Sequence, residues 1–195
     1  MDHEPTTPSP LPRESPPRRR PILPIAALLI VATATTAVLL LITKGGPAPT
    51  TADVIAKGQP VPNIAGATLD GGTIDLAALR GHPVLINFWG PSCEPCRQEM
   101  PLIAQKVAQH AADGLVVVGV LTDDPVEPAR TFEKQFGATW QTVIDPSGAI
   151  KTAYRVLNRP QSYFVDKAGI LRSIQIGWMT DADFERQLGL TLSGS

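Results

Sequence analysis

Two cysteines occur in this chain of 195 residues, Cys93 and Cys96, with only Glu94 and Pro95 between them. Sulfurs so spaced can close a small ring, and the chemistry this suggests is reversible exchange between dithiol and disulfide. If a helix begins at Cys93, its sulfur faces backbone amides that lack intrahelical partners and the positive end of the helix dipole. Both favour thiolate over thiol and hold the pKa below the free value of ~8.5. Cys96 falls on the same helical face, where its sulfur is expected to be more buried and less reactive. Pro95 removes an amide hydrogen in the first turn, where none is needed, and stiffens the ring. A purely structural bridge is a poor use of this pair, because so short a loop constrains the unfolded chain very little. A metal clip would need further ligands, and His82 and His110, the histidines of the same domain, read as solvated surface residues.

The elements that must position the pair alternate between strand and helix. Residues 84–88 (VLINF), introduced by Pro83, form a continuous apolar run of the kind a strand buried on both faces shows. From Cys93 to about residue 112, Met100, Ile103, Val107 and Ala111 recur at helical spacing, and Pro101 is expected to kink that helix. A second buried strand is read at 115–121. A helix follows at 126–136, capped by the Asp123, Asp124, Pro125 group, then a strand at 140–144 and a short helix at 149–156. Residues 162–165 and 170–177 are joined by Asp166-Lys167-Ala168-Gly169, a hairpin signal, and Asp181 is expected to cap a last helix ending near 188. Upstream, Asp70-Gly71-Gly72 inside 67–76 predicts another hairpin. The pattern implies an α/β domain over 53–192, a central mixed sheet covered by helices, with no internal repeat.

The rest of the chain is organised differently. Eight of the twenty prolines fall in the first 24 residues, and 1–20 is polar without apolar periodicity, which predicts a disordered cytoplasmic tail. Residues 21–43 carry no charge, and at ~1.5 Å per residue they reach about 34 Å, enough to cross a hydrocarbon core of ~30 Å. Arg18, Arg19 and Arg20 on one flank against Lys44 on the other place the carboxyl-terminal domain outside the cytosol. The apolar run exceeds the h-region of a cleaved signal peptide, so a retained single-pass anchor is expected, followed by a flexible linker at 44–52. A net charge of −1 supplies no basic field for nucleic acid.

The stretch Phe88-Trp89-Gly90-Pro91-Ser92-Cys93-Glu94-Pro95-Cys96, with Pro101 beyond it, resembles the thioredoxin superfamily. It is most similar to the membrane-anchored, ResA/TlpA-like branch of the cytochrome c maturation type, over nearly all of 53–190. The amino-terminal hairpin and the inserted helix and strand at 126–136 and 140–144 fit that branch. Arg159-Pro160-Gln161-Ser162-Tyr163-Phe164 resembles the segment in which the family carries a cis proline facing the dithiol, leaving the backbone of residue 159 free for an incoming extended chain. The resemblance implies catalytic roles for Cys93 and Cys96 and substrate contacts at Trp89, Arg159 and Pro160. It also aligns Glu99 with a carboxylate of that branch. Glu99 is then either a proton-handling group for Cys96 or simply an acid favoured early in a helix. Ser92 replaces the aromatic that usually precedes the first cysteine, and Asn87 stands where thioredoxin has an acid.

The expected function is an extracytoplasmic thiol–disulfide oxidoreductase that reduces protein disulfides, apocytochrome c being a target the resemblance suggests. No nicotinamide or flavin motif is present and no cofactor or metal is expected, so electrons must come from a membrane donor. Two alternatives stay open: a disulfide-forming oxidase with the same site, and a membrane-tethered copper-binding chaperone. Copper-delivery relatives usually have three residues between the cysteines and a downstream histidine, a pattern this chain lacks.

Overall fold

The computed structural model describes residues 55–194. Strands β1 (Ala65–Ala67) and β2 (Thr73–Asp75) make the predicted antiparallel hairpin, turning through Asp70-Gly71-Gly72. Gly71 has φ +90°, a conformation that side chains resist, and the Asp70 carboxylate accepts the Gly72 amide at 3.1 Å.

Strands β3 (Val84–Trp89), β4 (Val116–Leu121), β5 (Gln141–Ile144), β6 (Gln161–Val165) and β7 (Leu171–Ile176) form one sheet in the order β5-β4-β3-β6-β7. β3 pairs parallel with β4 and β4 with β5, while β6 runs antiparallel to β3 and β7 to β6. β3 is central and every one of its side chains is buried, the environment its unbroken apolar run requires. Helices α1 (Glu94–Gln109), α2 (Val126–Phe136), α3 (Ala149–Ala153) and α4 (Asp181–Ser193) complete the expected mixed-sheet architecture, with α2 and β5 as the inserted pair.

The pleat sorts β3 onto two faces. Leu85 packs with Val117, Phe164, Ile103 of α1, and Phe184 and Leu188 of α4. Ile86 and Phe88 turn the other way, against Val118, Val120, Tyr154 and Tyr163. Asn87 and Trp89 therefore share the face of Leu85, which places a polar side chain in the middle of the interface with α1.

Several local expectations give way to tertiary contacts. α1 stops at Gln109 and a 3-10 turn, Ala111–Asp113, follows. The helix runs on through Pro101, whose ring sits exposed on the outer side, away from the core-facing stripe. Asp123 and Asp124 do not cap α2. The N-cap position is Pro125, with no side-chain cap, because Asp123 pairs with Lys151 at 2.6 Å and Asp124 pairs with Arg159. Thr180, not Asp181, caps α4: its hydroxyl accepts the Asp183 amide at 3.2 Å, and Asp183 accepts the Thr180 amide at 3.0 Å. That helix runs on to Ser193, since Leu188 and Thr191 still face the core. His82 is exposed as expected, but His110 is half-buried, between Asp113 at 2.7 Å and Glu185 at 3.2 Å.

The expected tail 1–20, span 21–43 and linker 44–52 lie outside the described residues, as do 53 and 54. Among the described residues no helix is long and apolar enough to cross a membrane.

Candidate active site

β3 ends at Trp89, level with Leu121 of β4, and the chain turns through Gly90-Pro91-Ser92 into α1. This is the carboxyl end of parallel strands, where an α/β sheet opens a crevice. Cys93 is the N-cap of α1, in extended backbone (φ −88°, ψ 105°). The Cys96 amide donates to Cys93 Sγ at 3.2 Å, satisfying one of the donors that a helix start leaves free. The sulfurs are joined as a disulfide with Cα atoms 5.2 Å apart. Cys93 is 9% exposed and Cys96 2%, the order expected of an attacking and a resolving sulfur.

The pair sits in an apolar jacket of Trp89, Met100, Leu121, Ala129 and Phe132. Two of these come from α2, so the insertion is part of the site's wall. Phe132 stacks on Trp89 with centroids 5.3 Å apart, and the Arg97 guanidinium lies 5.2 Å from the Phe132 centroid. Trp89, expected among the substrate-contacting residues, is wholly buried instead. It supports the site from beneath, because the pleat points it at α2 rather than at solvent.

Glu99 lies one helical turn beyond Cys96 on the buried stripe that Met100 and Ile103 continue, and is 1% exposed. Its Oε2 accepts from Asn87 Nδ2 at 3.0 Å and its Oε1 from the Met179 amide at 3.1 Å. Asn87 also donates to Ser162 Oγ at 2.9 Å, on the neighbouring strand β6. Burial pushes the Glu99 pKa from 4.5 up to about 7, against the downward pull of the two hydrogen bonds. A carboxyl in that position can take up and release a proton near neutral pH. It does not face solvent at the helix start, as an ordinary first-turn acid would.

The Arg159–Pro160 peptide bond is cis. Because Phe88 pairs with Gln161, Pro160 emerges level with Trp89, at the dithiol end of the sheet. Its carbonyl accepts the Gly177 amide at 2.9 Å. The Arg159 side chain is already engaged, donating to the Asp124 carboxylate and to the Thr122 carbonyl, with Nη2 3.5 Å from Ser92 Oγ. Fold and loops thus bring Cys93, Cys96, Glu99, Arg159 and Pro160 to one end of the sheet.

Sequence reasoning missed the polar partners Asn87, Ser162 and Asp124. One signal was available: Asn87 is the polar residue inside an otherwise apolar strand. Glu99 at i+3 from Cys96 and i−4 from Ile103 was likewise marked for burial by helical geometry. Among the described residues no group of three or more His, Cys, Asp or Glu side chains is placed to hold a metal ion.

Residues 57–174 match the AhpC/TSA family. The chain belongs to this family of thioredoxin-like proteins. As an AhpC/TSA protein it is similar to thioredoxin-like protein YneN of Bacillus subtilis, at 35% identity over 139 residues, 70% of this chain and 81% of that one. It is 32% identical to thiol-disulfide oxidoreductase ResA of Geobacillus kaustophilus, with 71% and 80% of the two chains covered. Among solved structures it is similar to a Chlorobium tepidum protein described as thiol:disulfide interchange protein DsbE, with a TM-score of 0.66 and 29% identity, covering 71% of this chain and 99% of that one. This member of the AhpC/TSA family is a thiol–disulfide oxidoreductase of the ResA/DsbE type.

Proposed function

We propose that this oxidoreductase works outside the cytosol on a single membrane anchor and reduces disulfides in an exported protein substrate, with apocytochrome c before haem attachment as the target suggested by family resemblance. The observation that carries the chemistry is the position of Cys93 at the N-cap, with the Cys96 amide directed at its sulfur. In the reduced protein that amide and the helix dipole stabilise a Cys93 thiolate.

The thiolate attacks one sulfur of a substrate disulfide, and the S–S bond breaks as the mixed disulfide forms. The leaving substrate sulfur takes a proton. Cys96 then loses its proton, with Glu99 as the buried carboxylate one turn further along its helix, and attacks Cys93 Sγ. The second substrate thiol is released and the Cys93–Cys96 bridge forms, so two electrons have passed to the substrate. A membrane donor of thiol electrons returns two electrons and two protons. The exposed apolar side chains Leu157, Ile176 and Trp178, bordering Pro160 and its partner Gly177, suit a protein substrate rather than a small one. Support for the anchor and its direction is the uncharged run 21–43 with arginines on one flank.

The deciding experiment is trapping in cells. Cys96→Ser should accumulate mixed disulfides with exported proteins and Cys93→Ser should not; traps on the opposite variant would reverse the roles. Direction is read from equilibrium with glutathione, where a potential above that of the glutathione couple would make the protein an oxidase. A membrane-impermeant maleimide should label reduced Cys93 on intact cells, and labelling only after lysis would place the domain inside.

A further inference from the structure

Three loops meet beside the nucleophile. The turn Gly90-Pro91-Ser92 leads into Cys93, the loop Thr122–Asp124 follows β4, and Arg159 precedes Pro160. Their junction is one ion pair. The Asp124 carboxylate accepts from Arg159 Nη1 and, at 2.9 Å, from Ser92 Oγ, while the same Arg159 nitrogen reaches the Thr122 carbonyl. The pair is mostly shielded, with side-chain exposures of 5% for Asp124 and 17% for Arg159. It lies directly on the Gly90 Cα, since a Cβ there would collide with both the carboxylate and the guanidinium. Glycine at position 90 is therefore what lets two opposite charges approach the backbone three residues before Cys93.

Other charges near the dithiol are arranged differently. Glu94 and Arg97 pair with each other at 3.7 Å across one helical turn, in solvent. On α2, Glu127 pairs with Arg130 at 3.6 Å, also largely exposed. Glu99 is buried below Cys96 and bonded to Asn87 and Met179. Asp124 and Arg159 are the shielded pair on the substrate side of the turn, where screening by water is weakest.

We propose that Asp124 is a positioning residue that sets the redox poise of the dithiol by counterbalancing Arg159: the guanidinium favours the Cys93 thiolate, and the carboxylate holds that effect in check while pinning the side chain to the active-site turn. This rests on the thiol–disulfide exchange assigned to Cys93 above. The reaction it tunes is oxidised protein plus two glutathione molecules going to dithiol protein plus one glutathione disulfide, in which stabilising the thiolate favours the reduced side.

The test uses Asp124→Asn, Arg159→Gln, the double variant and Arg159→Lys, each as the whole chain reduced and held in detergent. Iodoacetamide alkylation of Cys93 against pH gives its thiolate midpoint, and a glutathione buffer gives the equilibrium constant. Asp124→Asn should lower the midpoint by about half a unit and move the equilibrium ~3-fold toward the dithiol, the size expected of one nearby charge at partial screening. Arg159→Gln should move both the opposite way, and the double variant and Arg159→Lys should lie near wild type. Shifts of one sign in both single variants, no shift in either, or no recovery in the double variant would overturn the proposal. So would loss of a cooperative melt in Asp124→Asn, since a balancing role leaves the fold intact. An ordinary thiol midpoint in the wild type would instead defeat the exchange reading of Cys93, which separates the two failures.

Discussion

Glu99 and Asn87 meet across the interface between α1 and β3, Oε2 accepting from Nδ2 at 3.0 Å, with neither side chain open to solvent. Each residue explains the other. Asn87 projects from the middle of a strand whose other side chains are apolar, and Glu99 sits on a helix stripe of Cys96, Met100 and Ile103. A buried polar group without a partner would cost about 1–3 kcal/mol, so the two are kept as a unit, extended to Ser162 and Met179.

Glu99→Gln should change how stability depends on pH. The folded-state pKa of about 7 lies above the unfolded value near 4.5, so protonated Glu99 contributes stability that is complete below about 4.5 and is lost as pH rises through 7. Over that window the loss is on the order of 3 kcal/mol. Urea unfolding at stepped pH should show the decline in the wild type and a flatter curve in the variant. The rate of Cys96 attack should also lose an inflection near pH 7; an unmoved profile would remove Glu99 from proton handling.

Asn87→Asp would set a second carboxylate against Glu99 and take away the donor that joins them. Two like charges in one buried site cannot both ionise, so the pair should titrate in two steps, one of them above 7. Stability should fall by ~2 kcal/mol or more at pH 8 and much less at pH 5. Chemical denaturation at the two pH values checks this, and equal losses at both would contradict it.

Phe132→Ala should weaken both the fold and the site. The ring is buried between Trp89 and Phe136, and deleting such a side chain typically costs ~3–5 kcal/mol. Because it props Trp89 beneath the dithiol, tryptophan fluorescence should respond differently to reduction. A variant with wild-type stability would show that α2 is not part of the wall.

His110→Ala should matter below neutral pH and little above it. Burial alone would lower the His110 pKa, but hydrogen bonds and charge from Asp113 and Glu185 outweigh it and raise the pKa above 6.5. A raised folded-state value means the stability gained is fully present below about 6.5 and disappears as pH climbs through the higher folded-state value. Melting temperatures at pH 5.5 and pH 9 should therefore differ between variant and wild type only at the lower value.

Much of the architecture was legible because it is written in local patterns. Apolar runs marked β3 and β4, Asp-Gly-Gly marked the first hairpin, and the spacing of Met100 and Ile103 marked α1. Where a local rule competed with a distant partner, the distant partner won. Asp124 reads as a helix cap until Arg159, 35 residues away, takes its carboxylate. His110 reads as a surface histidine until α4 brings Glu185 alongside.

Sequence alone determined that two sulfurs would stand at the start of a helix after a buried strand, because strand length, turn residues and helical period are properties of neighbours along the chain. The order β5-β4-β3-β6-β7, the burial of Glu99 against Asn87 and the joining of Ser92, Asp124 and Arg159 over Gly90 were decided only by the tertiary structure. Those contacts link residues far apart in sequence, and a side chain's partner and dielectric surroundings come into being only when the sheet has set which loops share an end.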